Sequence, residues 1–425
     1  MIQITDKSQC CGCNACINAC PKSCITKMLD EEGFAYPLVD TDACIDCHLC
    51  EKACPIINPG EPVVPLVSEA ITFNDEKKRI ASSSGGAFTA IAEEVIARGG
   101  VVFGAKWTED WHVVHDYTET IEGLAAFRGS KYVQCDTSDS YTKVRDFLKS
   151  ERWVLYSGTP CQIRGLKLFL RKDYDKLITV DFICHGVPSI KVLHAYVKDE
   201  IQNYVRKDVG RNLVLQSDNL SITEGDVLTP KGWYLKDIRF RDKSNGWKKY
   251  SFAVTLAKAS ADGEDSVLQA PIFPKSAYMA GFGANLYLRP SCHQCPARNF
   301  SSGSDFTLAD YWGVNEYDPK IDDDKGLSLV AVKSEKGQKL IDSLCTIKRF
   351  PVDFKQAYRL QTALFHRFPV TPKRAEFWAS DWQNNFCEIV NEISQRLTTR
   401  KKIENALRAI LRALGIKKIY KFIRK

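Results

Sequence analysis

Eight cysteines within the first 55 residues fall into two copies of one pattern. Cys10, Cys13, Cys16 and Cys20, followed by Pro21, read C-x2-C-x2-C-x3-C-P. Cys44, Cys47, Cys50 and Cys54, followed by Pro55, repeat it at a displacement of 34 residues. No other feature constrains the fold of this chain as tightly. A cubane iron–sulfur cluster needs four soft thiolates around one small volume, and short C-x2-C steps let a loop wrap three of them about it. The turn at the proline carries the fourth cysteine to the other cluster. The expected ligand sets are therefore Cys10, Cys13 and Cys16 with Cys54, and Cys44, Cys47 and Cys50 with Cys20. A pair of zinc knuckles is the plain alternative. Zinc takes four ligands, whereas each copy spaces its first three cysteines alike and sets proline after the fourth.

Residues 1–60 are accordingly expected to form an α+β domain of the bacterial ferredoxin type holding two [4Fe-4S] clusters. The whole chain, 425 residues with 44% hydrophobic and 26% charged content, has the composition of an ordinary globular protein of two or three domains. Its seventeen cysteines do not indicate a secreted disulfide scaffold, because no apolar segment precedes the first of them. No stretch offers the ~18 unbroken apolar residues of a spanning helix. A reducing, cytoplasmic setting suits thiolate clusters. The formal charge of +7 is an uneven average, since Arg396–Lys425 contains eleven Lys or Arg and one acid. That segment carries +10 and the rest about −3 by the same counting. No basic field covers the body, so nucleic acid is not an expected partner.

Residues 56–66 hold three prolines and a glycine and read as a stiff linker. Beyond them strand and helix signals alternate. Ala70–Phe73 is a candidate strand, Ala87–Arg98 has helical spacing, and Gly99-Gly100 would stop it before a strand at Val101–Ala105. Trp153–Tyr156 and Leu177–Ile183 are apolar runs, each followed by a Gly/Pro loop and a helical pattern. The alternation predicts an α/β domain with a mainly parallel or mixed sheet. Residues 205–275 are more polar, with a hairpin expected around Ile238–Phe240 and Tyr250–Phe252 and a turn near Asn245-Gly246. They read as an insertion or strand-rich subregion whose role the residues do not reveal.

Nine cysteines remain. Cys161 and Cys184 each follow an apolar run directly, and Cys292 and Cys295 form a C-x2-C. Loops after adjacent strands of an α/β sheet meet at one edge, so these four could ligate together. Buried packing of free thiols, a structural zinc, or a reactive thiol at a helix N-terminus are the alternatives that spacing leaves open. Cys11, Cys24, Cys135, Cys345 and Cys387 have no usable spacing. Packing is expected of them, and Cys11, beside a ligand, is expected to point away from the cluster.

Six segments recur in order in one family: Ser82–Gly86, Gly129–Tyr132, Gly158–Gln162, Cys184–Pro188, Tyr287–Cys295 and Ser304–Gly313. Across about Ala70–Gly313 the chain resembles the coenzyme F-420 hydrogenase/dehydrogenase beta subunit family, with the ferredoxin unit placed in front. The resemblance implies an iron–sulfur flavoprotein, hence FAD and a third [4Fe-4S] cluster at Cys161, Cys184, Cys292 and Cys295. It also implies that residues 61–392 form an α/β flavin and iron–sulfur domain with a mixed sheet. Many relatives accompany surface-polysaccharide enzymes, which suggests a sugar-linked substrate by analogy. Coenzyme F-420 itself is not implied by any residue set.

A flavin diphosphate needs backbone N–H groups and positive dipole, as at a helix start. Ser82–Gly86 precedes the helix at Ala87, so Ser83, Ser84, Gly85 and Gly86 are expected flavin contacts, although such a loop is by itself also a plain N-cap. Lys131 is expected at phosphate or flavin ring, unless it is a solvated surface group. Gly158, Thr159 and Pro160 would set Cys161 and backbone near the isoalloxazine. His185 fits either a proton donor or a group that tunes cluster potential, so no catalytic acid is named.

At the C-terminal end, residues 393–425 are expected to form a basic amphipathic helix. Leu407, Ile410, Leu411 and Leu414 follow 3.6-residue spacing, which suits an anionic membrane surface or docking on the body. The leading expectation is an FAD-dependent iron–sulfur oxidoreductase, cytoplasmic or peripheral at the inner membrane face. In it the ferredoxin clusters pass electrons through the third cluster to the flavin. An electron-transfer subunit serving a partner enzyme, and a redox sensor, are the competing functions. The partner in either case is a ferredoxin or another oxidoreductase subunit.

Overall fold

A computed structural model describes residues 1–209, 233–260, 263–269, 271–273 and 275–395. In the N-terminal unit, β1 (Ile25–Leu29) pairs antiparallel with β2 (Ala35–Val39), and each cysteine run makes one short helix, Ala15–Ala19 or Leu49–Lys52. The repeat is visible in the backbone. Asn14 and His48, four residues after the first cysteine of each run, both take left-handed φ (57° and 58°) as N-caps of these helices.

The body is built on a sheet of eight strands: β3 (Val67–Phe73), β4 (Val101–Trp107), β5 (Val113–Thr118), β6 (Val154–Gly158) and β7 (Leu177–Phe182) come first. A separate antiparallel sheet follows, of β8 (Trp233–Asp242), β9 (Ser251–Ser260) and β10 (Gly263–Gln269). The strands β11 (Phe306–Asp310), β12 (Ser328–Val332) and β13 (Ile347–Pro351) then complete the large sheet in the order β13-β3-β12-β11-β7-β6-β4-β5. Its centre, β4-β6-β7-β11, is parallel, and antiparallel strands flank it on both sides. The sheet is therefore mixed.

Period-two alternation divides the core. Val102, Leu155, Ile178 and Val180 face helix Ala87–Ala97, with Ile91 and Val95, and helix Glu335–Ser343, with Leu340 and Ile341. Val101, Phe103, Val154 and Tyr156 face helices Ser140–Lys149 and Pro160–Leu170 on the other side. Ala15, Ala19 and Ala53 of the cysteine unit join this second core. A further aromatic core, including Tyr196, Phe240, Phe252, Tyr278, Tyr287, Phe377 and Phe386, joins the β8–β9 hairpin to the helices around it. The hairpin turns through Gly246 at φ +90° and pairs Arg239 with Ala253. It belongs to a core of the fold rather than to a peripheral insertion.

The linker departs from expectation. Residues 56–66 run against the body: Arg164 donates to the carbonyls of Asn58 (3.0 Å) and Pro59 (3.1 Å), and Val63 N–H to Asn299 O (3.2 Å). The cysteine unit is docked as well. Arg289, fully buried, donates to Cys10 O (2.6 Å), Ala35 O (2.9 Å) and Gln134 Oε1 (3.0 Å). Asn14 donates to Asp136 (2.7 Å), Thr137 Oγ1 to Cys13 O (2.9 Å), and Arg374 pairs with Glu32 through both terminal nitrogens. Proline content announces stiffness, not separation. The basic segment from residue 396 lies outside the described residues.

Candidate cluster sites and cofactor cavity

Three small chambers are lined by cysteines. Cys10, Cys13, Cys16 and Cys54 surround the first, of about 20 Å³, together with Cys11. Cys20, Cys44, Cys47 and Cys50 surround the second, also about 20 Å³, together with Cys24, whose Sγ lies 3.4 Å from that of Cys20. The exchange of fourth cysteines between the runs is thus present in the geometry. The first chamber is deep, with Cys13, Cys16 and Cys54 buried, whereas Cys47 of the second is exposed.

The third chamber, about 50 Å³, brings together Cys161, Cys184, Cys292 and Cys295 with Cys11. β6 and β7 are parallel neighbours, so the segments that follow them emerge at the same sheet edge. Thr159 caps helix Pro160–Leu170 in a reciprocal box with Gln162, and Pro160 starts it, which places Cys161 in the first turn. Cys184 follows β7 by two residues, and Cys292 sits in a 3-10 turn (Pro290–Gln294) with Cys295 just after it. Thr159 Oγ1 is 3.2 Å from Cys161 Sγ. Burial and neighbouring sulfurs push the Cys292 and Cys295 thiols up to about 12 and about 11 and Cys184 well above the ordinary range, while the adjacent Cys11 thiol and burial raise Cys161 likewise. Four such thiolates crowded together are costly unless a cationic iron core compensates them. Among the described residues, no three His, Cys, Asp or Glu side chains are set to hold a single metal ion. The sulfurs stand around a volume, which fits a cluster.

Beside the third chamber lies a cavity of about 590 Å³, within the ~300–1,000 Å³ usual for ligand sites. Ser82, Ser83, Ser84 and Gly86, the start of helix Ala87–Ala97, and Arg128–Lys131 stand in its wall. Gly158, Thr159 and Cys184–Val187 line it too, as do Arg241, Tyr250, Phe273 and Trp312. Ser83 Oγ accepts from Ser130 N–H (2.7 Å), tying two of these segments together. Gly85 and Pro160 do not line the cavity. Gly85 packs on the sheet, where an added Cβ would lie 2.3 Å from Ile71 O, and its N–H is taken by Ser328 Oγ (2.9 Å). Pro160 lines the third chamber instead. Lys131 turns its Nζ onto the carbonyls of Ala126, Arg128 and Gly129 at 3.1–3.4 Å, and burial lowers its pKa to about 8.

Three features escape a reading of the residues alone. Arg128 lines the cavity with its Nε unpartnered among the described residues, and the carboxylate of Glu93 is 3.9 Å away. A lone arginine in a loop carries no sequence signal. Arg241 and Asp310 make a buried ion pair (2.7 Å), with Trp247 Nε1 on Asp310 (2.9 Å) and Tyr250 against the guanidinium (4.0 Å). Residues of β8 and of the β8–β9 turn thus line the cavity. Cys11, expected to point away, lines the first and third chambers together.

His185 lies in the wall between the third chamber and the cavity and lines both. Its Nε2 is 2.7 Å from Asn285 Oδ1, its ring packs on Phe282 and Phe368, and burial lowers its pKa.

Two family models match the chain. Residues 151–352 match the model for the C-terminal part of the coenzyme F420 hydrogenase/dehydrogenase beta subunit, and residues 9–56 match that for a 4Fe-4S dicluster domain. Among solved structures, a chain of the F420-reducing [NiFe] hydrogenase complex from Methanosarcina barkeri is similar at 17% identity. That match covers 72% of this chain and 88% of the other, with a TM-score of 0.44. Among curated proteins there is no match. The two matches, in this order on one chain, show a 4Fe-4S dicluster domain followed by a region similar to the C-terminal part of the coenzyme F420 hydrogenase/dehydrogenase beta subunit.

Proposed function

We propose that the chain is an iron–sulfur flavoprotein oxidoreductase, with a third [4Fe-4S] cluster in the chamber of Cys161, Cys184, Cys292 and Cys295 and FAD in the adjoining cavity. The observation that carries this is the shared wall: Thr159 and Phe182–Val187 line both spaces, so occupants of the two would be neighbours. Bound flavin collects single electrons and delivers a hydride, which suits a chain that also carries one-electron clusters.

The residues divide the work. The start of helix Ala87–Ala97, with Ser83, Ser84 and Arg128, offers N–H groups and positive charge to the diphosphate. Lys131 shapes the loop rather than meeting the ligand, since its ammonium is spent on three carbonyls. Gly158 and Thr159, which line the same cavity, would face the flavin. His185 acts as an oriented wall residue, held by Asn285 Oδ1 and packed on two rings, and burial disfavours its charged form. Asp310 already neutralises Arg241 in the cavity wall, and Tyr250 and Trp312 lie against the guanidinium, which suits a planar uncharged acceptor better than a sugar phosphate. The exposure of Cys47 supports reading the second chamber as the point at which a redox partner, a ferredoxin or another oxidoreductase subunit, would exchange electrons.

The test is composition under anaerobic purification. Three clusters predict about twelve iron and twelve sulfide per chain with one FAD. Cys184→Ser should bring iron to about eight while Cys20 and Cys54 remain ligated. About eight iron in the unaltered protein with full flavin would remove the third cluster, and absence of flavin from iron-replete protein would remove the rest.

A further inference from the structure

Between the first and third chambers stands a thiol that neither ligand set uses. Cys11 follows the ligand Cys10 in sequence, yet it lines both spaces. Its thiol stands beside Cys13, of the first set, in one wall and beside Cys161, of the third, in the other. Cys11 and Cys161 are 150 positions apart, so this contact exists only because the cysteine unit is docked on the body.

The docking is built around that point. Arg289 grips Cys10 O with its side chain, while its own N–H donates to Val187 O (2.9 Å) and its carbonyl accepts from Cys292 N–H (2.9 Å). One buried residue therefore holds the backbone beside a ligand of the first set, the segment after Cys184, and Cys292 itself. Gly12 lets this happen. At φ +69°, it leaves no room for a Cβ, which would lie 2.1 Å from Gln134 Nε2 and 2.9 Å from Arg289 Nη1. Gly165 of the helix that carries Cys161 likewise approaches Cys13 Sγ, at 3.1 Å from where its Cβ would stand.

We propose that Cys11 is a non-ligating thiol that couples the first and third cluster sites, held in register by Arg289. The proposal rests on the third cluster assigned above. With Cys13 and Cys161 as cluster thiolates, a Cys11 S–H standing in the wall of both chambers can donate a hydrogen bond to a ligand sulfur of one site while it fills the space toward the other. A hydrogen bond to a ligand sulfur raises cluster potential, so the same thiol also sets the potential of the site it donates to. When one electron crosses, no bond forms or breaks and the Cys11 proton stays on sulfur. Cys11 is thus a positioning residue, and the ligands remain the eight cysteines of the two chambers it separates.

The experiment compares Cys11→Ala and Cys11→Ser with the unaltered holoprotein. Iron, sulfide and flavin are measured first, then cluster potentials by EPR-monitored redox titration, then flavin reduction after rapid mixing with dithionite. Cys11→Ala should keep all iron and flavin, shift the potential of the first or third cluster downward, and slow flavin reduction about tenfold or more. Cys11→Ser, which keeps a donor, should recover most of the potential. Unchanged potentials and rates in Cys11→Ala would overturn the proposal, leaving Cys11 as packing. Loss of about four iron from Cys11→Ala would also overturn it, by making Cys11 a ligand. If the unaltered protein itself holds only about eight iron, the failure belongs to the third-cluster assignment.

Discussion

Replacing Arg289 by Met should loosen the cysteine unit from the body. The guanidinium is fully buried and satisfies Cys10 O, Ala35 O and Gln134 Oε1, with its plane over Tyr36 at 4.4 Å. Met fills similar volume but leaves those acceptors without donors. Each stranded buried acceptor costs about 1–3 kcal/mol, and partial relaxation keeps such losses from adding fully. The cation–π contact, worth about 2 kcal/mol when desolvated, goes as well. A net loss of about 3–5 kcal/mol is expected, comparable to breaking a buried charged network. Arg289→Lys keeps charge without the planar fork and should recover only part of it. Anaerobic denaturant titration followed by tryptophan fluorescence measures the loss, and limited proteolysis reports whether residues 56–66 become cleavable. A change below about 1 kcal/mol, with the linker still protected, would refute the view that Arg289 carries the docking.

Removing residues 1–60 should leave an unstable, aggregation-prone body, because it bares Arg289, Arg374 and the apolar surface under Ala15, Ala19 and Ala53; recovery of a monodisperse yellow protein would contradict this. Arg241→Met should destabilise by about 3–5 kcal/mol, since it leaves Asp310 buried and unpaired, while Arg241→Met/Asp310→Leu should restore much of the loss in the same titration. His115 Nδ1 is hydrogen-bonded to Tyr156 OH (2.7 Å), and burial lowers its pKa to about 4. The folded state then binds fewer protons than the unfolded one below about pH 6.5, so stability should fall as pH drops from about 6.5 to about 4. The fall is a few kcal/mol at most, and His115→Gln should flatten that slope. If residues 396–425 bind anionic membrane, the protein should co-sediment with phosphatidylglycerol vesicles and be released by salt, and Leu407→Ser/Ile410→Ser/Leu414→Ser should abolish binding. Loss of stability without any vesicle binding would assign that segment to the body instead.

The cysteine runs were legible because their geometry is local: three ligands on a short loop leave little freedom, and the proline turn aims the fourth. Cys161 and Cys184 could be paired because parallel neighbours such as β6 and β7 deliver their following loops to one edge. What escaped was whatever depends on docking. The logic of a single loop turns Cys11 away from its own site, whereas it lines that site and also the one of Cys161, on a helix far along the chain. Proline content in residues 56–66 described the stiffness of that segment and carried no information on the Asn299 and Arg164 groups that receive it. Arg128 and Arg241 escaped for a plainer reason: an isolated arginine looks the same on a surface and in a cavity wall. Gly85 was assigned to a ligand because loops that cradle phosphates are glycine-rich, whereas here the close approach is to Ile71 and Ser328 of the sheet.

The two cysteine runs differ at one position that tells them apart. Two residues after the first cysteine, both backbones take positive φ, +69° at Gly12 and +49° at Asp46. Asp46 is well exposed and pairs with the N-terminal ammonium, while Gly12 lies against Gln134 and Arg289. A duplicated module starts with equivalent halves, and attachment to a larger body makes them unequal. The half pressed against the body must give up its side chain where the turn meets its neighbour, and the free half keeps one and gains a charge. In related chains with such a doubled run, a glycine at this point in one copy and a polar residue in the other would mark which copy faces inward from the amino-acid letters alone.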